Sequence, residues 1–207
     1  MLPAFKRLSE NEMTRFVQNG FHLARGLFAP HEVDTIRTAF QEEGDRRYAE
    51  ALTQPGAIES PDPLTRYPRM MMPHRELHMP AGELAMSAMM DPRIENILHD
   101  LFGEQAVAAQ SMFYFKPPGS RGQALHQDNF YLRVSPATCM AAWIAVDDAD
   151  EENGGLVVVP GSHVGDVVCP QEADQEVSFT DAFVPVPEGL QEVPVNMKAG
   201  DVLFFNG

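Results

Sequence analysis

The second half of the chain is cut into short apolar runs by turn residues, and few folds accommodate that pattern. Residues 139–146 form an apolar run of strand length. Asn153-Gly154 follows, a dipeptide that favours a type I′ hairpin turn, and then a second run at 156–159 that Pro160-Gly161 ends. Upstream, residues 110–119 are rich in aromatics and stop at Pro117 and Pro118, and residues 201–205 make another apolar strand. Short strands with turn chemistry between them predict antiparallel sheets arranged as a barrel or jelly roll.

The first third reads as helical. Ser9 and Glu12 fit a capping box ahead of Met13, Phe16 and Val17, and Gly20 fits the stop. A second helix is predicted from near Pro30, with Val33, Ile36 and Phe40 as its apolar stripe, and a third over about 92–102, ended by Gly103. The segment 53–66 carries Pro55, Gly56, Pro61 and Pro63 and reads as a loop over the mouth of a site. The predicted class is mainly β with flanking helices.

Among these strands sits His126-Gln127-Asp128. On an extended strand, side chains at i and i+2 leave the same face, so an imidazole and a carboxylate can close on one ion. A 2-His-1-carboxylate triad holds Fe(II) on one side and leaves positions open for O2 and a co-substrate. The pair supplies two of those three ligands. The third must be a distant histidine.

Other signals are weaker. His74 and His78 lie four apart, but Glu76 is at the wrong offset for His-Glu-x-x-His, and Pro73 and Pro80 bracket a segment too short for a stable helix, so both read as exposed histidines. His163, just after Pro160-Gly161, is the rival third ligand within the chain. The acidic run 147–152 lacks the spacing of a calcium loop and reads as a solvated turn. Phe113 and Phe115 read as core. There is no phosphate loop, no Gly-x-Gly-x-x-Gly and no Gly-x-Ser-x-Gly, which leaves nucleotide, dinucleotide and hydrolase classes without a motif.

A chain of 207 residues can bury one substantial core and is read as a single domain. Its net charge of −15, from 30 acidic and 15 basic residues, excludes nucleic acid and anionic membrane as expected partners. No apolar run reaches about 18 residues and residues 1–7 do not read as a leader, so the expected location is cytoplasmic. Cys139 and Cys169 are expected to be reduced thiols. Oligomeric state leaves no mark in the sequence.

The chain resembles the phytanoyl-CoA dioxygenase family of Fe(II)- and 2-oxoglutarate-dependent oxygenases. The matching pieces are Lys116-Pro117-Pro118, Leu125-His126-Gln127-Asp128, Trp143, the segments 152–156 and 160–163, and the strand 200–205, in the family's order. Residues 16–28 are similar to the family's opening strand.

The resemblance implies a double-stranded β-helix (jelly roll, cupin-like) core, Fe(II) and 2-oxoglutarate as metal and co-substrate, O2, and a small organic substrate. It assigns His126 and Asp128 as catalytic metal ligands. Met112 and Trp143 take positions that contact 2-oxoglutarate, Gln127 lies inside the ligand motif, and Arg75, with Arg69 as alternative, takes the place of a basic cofactor-binding residue. It also implies that the distal histidine and a 2-oxoglutarate-binding arginine lie past Gly207, so that 1–207 lacks the domain's last strands. A retained carboxylate at Asp128 points to hydroxylation of an unactivated C–H bond, because related halogenases carry a small residue there. Asn129, Tyr131 and Arg133 become candidate substrate contacts, and Arg66, Arg69, Arg75, Lys116 and Arg121 a candidate basic mouth. A non-catalytic metal-binding cupin-like sensor or storage module would use the same ligand pair.

Overall fold

The computed structural model describes residues 7–56, 60–136 and 138–207. Residues 1–6 of the leader reading and 57–59 of the mouth loop lie outside the described residues. The elements are α1 (Glu10–Asn19), β1 (Phe21–Ala24), α2 (Pro30–Leu52), α3 (Pro63–Arg66), β2 (Met70–Met71), α4 (Pro80–Met89), α5 (Pro92–Phe102), β3 (Met112–Phe113), α6 (Asp128–Leu132), β4 (Met140–Ile144), β5 (Leu156–Val158), β6 (Gln171–Glu172), β7 (Ala182–Phe183), β8 (Val193–Val195) and β9 (Val202–Asn206). Short 3-10 turns occupy Pro73–Arg75 and Ser162–Val164. More of the described residues are helical than extended, so the class expected as mainly β is instead a β core wrapped in a larger share of helix.

The centre is an antiparallel sheet in the order β1-β9-β4, with Leu203 opposite both Leu23 and Trp143. Alternation along β9 builds two cores from one strand. Val202 and Phe204 face a cluster with Phe28, Val33, Ile94 and Ile97, which belongs to the helical side. Leu203 and Phe205 face the opposite way, into a cluster with Trp143, Ala145, Leu156, Val158, Val195 and Met197. That second cluster joins the central sheet to the pair β5-β8. Burial on both faces is why residues 202–205 read as an unbroken apolar run.

Local chemistry explains the helix ends. Ser9 and Glu12 form the capping box: Ser9 Oγ accepts from Glu12 N, and Ser9 N donates to Glu12 Oε2 at 2.8 Å. Gly20, at φ +80°, ends α1 in the left-handed region that favours glycine. α2 and α5 begin with Pro at N1, and Gly103 stops α5. The similarity to an opening strand over 16–28 resolves into the end of α1 followed by a strand of four residues.

Two strand expectations are corrected. Within 110–119 only Met112–Phe113 is extended, paired with Met70–Met71. The Asn153-Gly154 turn does not join β4 to β5 as a hairpin, since β4 pairs with β9 and β5 with β8. Asn153 lacks the positive φ that a type I′ turn requires. Asp150 captures the turn: its side chain accepts from the backbone N–H groups of Glu152 and Asn153. The mouth segment 53–66 contains α3, capped by Asp62. Phe113 and Phe115 are core, with Phe113 stacked on Phe40 at 3.8 Å.

The Gly200-Asp201 doublet steers β9. Asp201, 3% exposed, accepts from Gly26 N at 2.7 Å, Lys198 N at 2.8 Å and Arg25 Nη1 at 2.7 Å. Those groups hold its carboxyl below the usual range although burial, the largest effect, pushes the other way. Past the far end of β9, Gly207 lies against Asp128.

Candidate metal centre

His126 and Asp128 come together, although not on a strand. Asp128 is the first residue of α6, and Gln127 before it is extended at φ −109° and ψ 123°. One extended residue between them puts both side chains on the same side, as in a strand. His126 Nε2 stands 3.1 Å from Asp128 Oδ1, and each side chain is about a quarter exposed.

The loop carrying His126 is fixed by backbone pairing. Gly122 N donates to Val177 O, Val184 N to Leu125 O, and Ala124 N to the buried Ser178 Oγ. Ser178 Oγ also accepts from Thr180 N at 3.0 Å, so one buried hydroxyl ties the loop to the neighbouring segment.

The tautomer of His126 follows from its neighbours. Nδ1 lies 2.8 Å from the Ala124 carbonyl, which can only accept, so Nδ1 carries the proton. Nε2 then presents a lone pair toward Asp128 Oδ1 and can accept from Gln123 Nε2 at 3.1 Å. Two acceptors facing one point call for a cation between them, either a proton or a metal. Burial works against a charged imidazole most strongly, but the hydrogen bonds to Asp128 and Ala124 and the charge of Asp128 prevail and raise its pKa. The donor set fits a divalent transition metal at two positions. Among the described residues, no group of three His, Cys, Asp or Glu side chains could hold a metal ion.

His163 is not part of this group. Its Nε2 donates to Val17 O at 3.1 Å, and its ring packs on Gly20 at the end of α1. His74 is buried, not exposed as expected, with Nδ1 2.7 Å from Ser111 Oγ, whereas His78 is exposed. The acidic run 147–152 is a turn whose Asp147 and Asp148 pair with Arg37 and Lys198.

The cofactor candidates divide. Trp143 projects into the cluster between the two sheets, and the side chain of Met112 meets the Tyr114 hydroxyl at 3.4 Å. Tyr114 belongs to the centre: burial raises its pKa first, the Arg69 guanidinium pulls it down and the Asp128 charge pushes it up. Arg69 also acts on His126. Arg75, by contrast, is exposed at the end of a 3-10 turn, and its guanidinium has no hydrogen-bond or ion-pair partner among the described residues. Arg69 is thus linked electrostatically to the ligand pair, whereas the turn at Pro73 leaves Arg75 exposed.

The Gln127 amide straps a neighbouring segment. Its Nε2 donates to Asp166 O at 3.2 Å and its Oε1 accepts from Val168 N at 2.9 Å. Asn129 is likewise structural, buried and accepting from Val134 N at 2.7 Å. Tyr131 stays at the centre, edge-on to the His126 ring at 6.1 Å, while Arg133 ends α6 with a positive φ. Two of the five residues of the candidate basic mouth are ion-paired and a third is held by carbonyls. Arg66 pairs with Asp45, Arg121 with Asp62, and Lys116 donates to the carbonyls of Ser120 and Arg121. Sequence reasoning missed Tyr114 and Ser178, since a lone tyrosine or serine in a loop carries no pattern.

Cys139 and Cys169 are free thiols, as expected. Among the described residues, no helix is long and apolar enough to cross a membrane.

The family model for phytanoyl-CoA dioxygenase matches residues 16–207. Phytanoyl-CoA dioxygenase 1 of Oryza sativa subsp. japonica is 31% identical over 115 residues, 55% of this chain and 41% of that protein. Phytanoyl-CoA dioxygenase of Arabidopsis thaliana is 33% identical over 117 residues, 56% of this chain and also 41% of the relative. The matches thus span under half the length of these plant proteins. Two solved structures share the fold. EvdO2 from Micromonospora carbonacea var. aurantiaca, complexed with 2-oxoglutarate, superimposes with a TM-score of 0.66 at 18% identity, over 98% of this chain and 82% of that one. The epimerase SnoN, in complex with Fe3+, alpha ketoglutarate and nogalamycin RO, gives 0.59 at 20% identity, over 95% and 73%.

Proposed function

Because the chain belongs to the phytanoyl-CoA dioxygenase family, we propose that it is an Fe(II)- and 2-oxoglutarate-dependent oxygenase that hydroxylates an unactivated C–H bond of a small organic molecule. The observation that carries this reading is the convergence of the His126 Nε2 lone pair and the Asp128 carboxylate, 3.1 Å apart. In the same reading the two facing sheets belong to a double-stranded β-helix, and the third protein ligand comes from outside the described residues.

The metal, 2-oxoglutarate and O2 together supply the oxidising power: one oxygen atom enters the substrate and the other enters succinate, with release of CO2. The chain's own residues do the placing. Ala124 holds the His126 tautomer, so that Nε2 stays free to ligate. Asp128 supplies negative charge and occupies the position that a halide would need. Trp143 and Met112 line the co-substrate side, and Arg69 offers a cation to a carboxylate. Tyr131 stands over the imidazole on the exposed side, where substrate would approach.

Incubation with Fe(II), 2-oxoglutarate and O2 tests the reading, with succinate measured against omission of each component. Succinate that depends on all three supports it. Iron binding without any succinate, across a panel of small acids as substrates, would point to a sensor or storage module instead.

A further inference from the structure

Gly207 lies against Asp128 of the candidate ligand pair, and its backbone does not explain why it is glycine. Its φ is outside the left-handed region, unlike nine other glycines of the chain, so an L-residue could adopt the same conformation. What excludes a side chain is space. A Cβ at Gly207 would stand 2.6 Å from Asp128 Cβ, 3.4 Å from Asp128 Cγ and 3.1 Å from Cys139 Sγ. Van der Waals contact between carbons needs about 3.5–4.0 Å.

We propose that Gly207 is a positioning residue for the ligand pair: the missing side chain is the seat into which Asp128 packs, and it sets the direction of the carboxylate toward His126. The inference rests on the ligand roles proposed for His126 and Asp128.

The side that would yield is decided by anchoring. Val202, Leu203 and Phe204 of β9 are fully buried. Beyond them Asn206 N donates to Gly20 O at 2.9 Å, and Gly207 N donates to Cys139 O at 3.1 Å. β9 is thus held by its core and by both neighbouring segments. Asp128 opens a helix of five residues and is about a quarter exposed. A methyl group at residue 207 would push Asp128 outward, and the carboxylate would leave its place 3.1 Å from Nε2. Cys139, 5% exposed, closes the other side and leaves no room for a sideways shift.

The test is Co(II) titration of the full chain, read by the visible absorption of the bound ion, which reports the ligand set without turnover. Wild type should bind and His126→Ala should not. Gly207→Ala should bind at least tenfold more weakly with an altered spectrum, while its metal-free thermal midpoint stays within a few degrees of wild type. Gly122→Ala, where an added Cβ meets nothing closer than 3.8 Å, should bind within twofold of wild type. If Gly207→Ala does not fold, Cys139→Val, which enlarges the opposite wall, replaces it with the same expectation. Wild-type affinity and spectrum in the folded wall variant, with His126→Ala defective, overturn the role of Gly207 and leave the ligand pair standing. Equal binding by wild type and His126→Ala, or no binding by wild type, overturns the ligand pair and the inference together.

Discussion

The Nε2 lone pair of His126 and Oδ1 of Asp128 face each other at 3.1 Å, with the imidazole proton committed to the Ala124 carbonyl on the far side. Such a pair gains from any cation placed between its members. Asp128→Ala and His126→Ala should each abolish Fe(II) binding and change stability by no more than about 1 kcal/mol, since both side chains remain partly solvated and neither belongs to an apolar cluster. Iron titration beside thermal melts checks this. Wild-type iron affinity in both variants would remove the site assignment.

Trp143 projects between the central sheet and β5-β8. Trp143→Ala should raise the 2-oxoglutarate concentration needed for half-maximal turnover more than it weakens iron binding. It should also cost about 3–5 kcal/mol of core packing. Denaturant melts alongside kinetics separate the two effects, and an unchanged 2-oxoglutarate requirement in a folded variant would leave Trp143 as core alone.

Gln127 spends both ends of its amide on residues 166 and 168. Gln127→Ala should therefore leave Fe(II) affinity within about twofold and speed amide exchange at Val168, whose N–H loses its acceptor. Exchange at Val168 unchanged from wild type would refute the strap.

What the sequence revealed was whatever depends on near neighbours. The Ser9–Glu12 capping box, the proline starts of α2 and α5 and the His-x-Asp pair each span a few residues, and each was readable. The pairing of β4 with β9 rather than β5 was not, because partner choice rests on contacts between distant segments, and Asp150 had already closed the intervening turn on itself. α4 was hidden as well. Pro80 reads as a break when it follows Pro73 so closely, yet it serves as the first residue of that helix. Gln127 and Asn129 sit beside the ligands in sequence, but their side chains hold loops, and adjacency to a motif did not predict which way they point.

Glu43 gives a pH signature outside the centre. It is 6% exposed and carries hydrogen bonds from Arg46 and Arg47; Arg46 contributes most, burial opposes, and the net pKa falls to about 2. A carboxyl whose folded pKa lies below its unfolded value stabilises fully above about pH 4.5 and loses that contribution as pH falls toward 2. Glu43→Gln should cost about 1–2 kcal/mol at neutral pH, discounted because both arginines are partly solvated. The gap from wild type should close across that window. A gap independent of pH between 2 and 7 would refute the assignment.

Arg69 and Arg75 separate a site from a surface. Arg69 acts electrostatically on both Tyr114 and His126, and its guanidinium lies 5.6 Å from the Phe179 ring, a contact that restrains the side chain. Arg75 stands six residues further on, past the backbone reversal at Met72, whose φ is 52°, and is exposed. A cation beside a partly open pocket attracts a carboxylate through one charge-assisted hydrogen bond, at the lower end of about 1.5–3 kcal/mol. Arg69→Ala should accordingly weaken 2-oxoglutarate binding about tenfold, and raised salt should narrow the difference. Arg75→Ala should stay within about twofold of wild type. Calorimetric titration of 2-oxoglutarate into each metal-loaded variant at two salt concentrations makes the comparison, and a larger loss from Arg75→Ala than from Arg69→Ala would reverse the assignment.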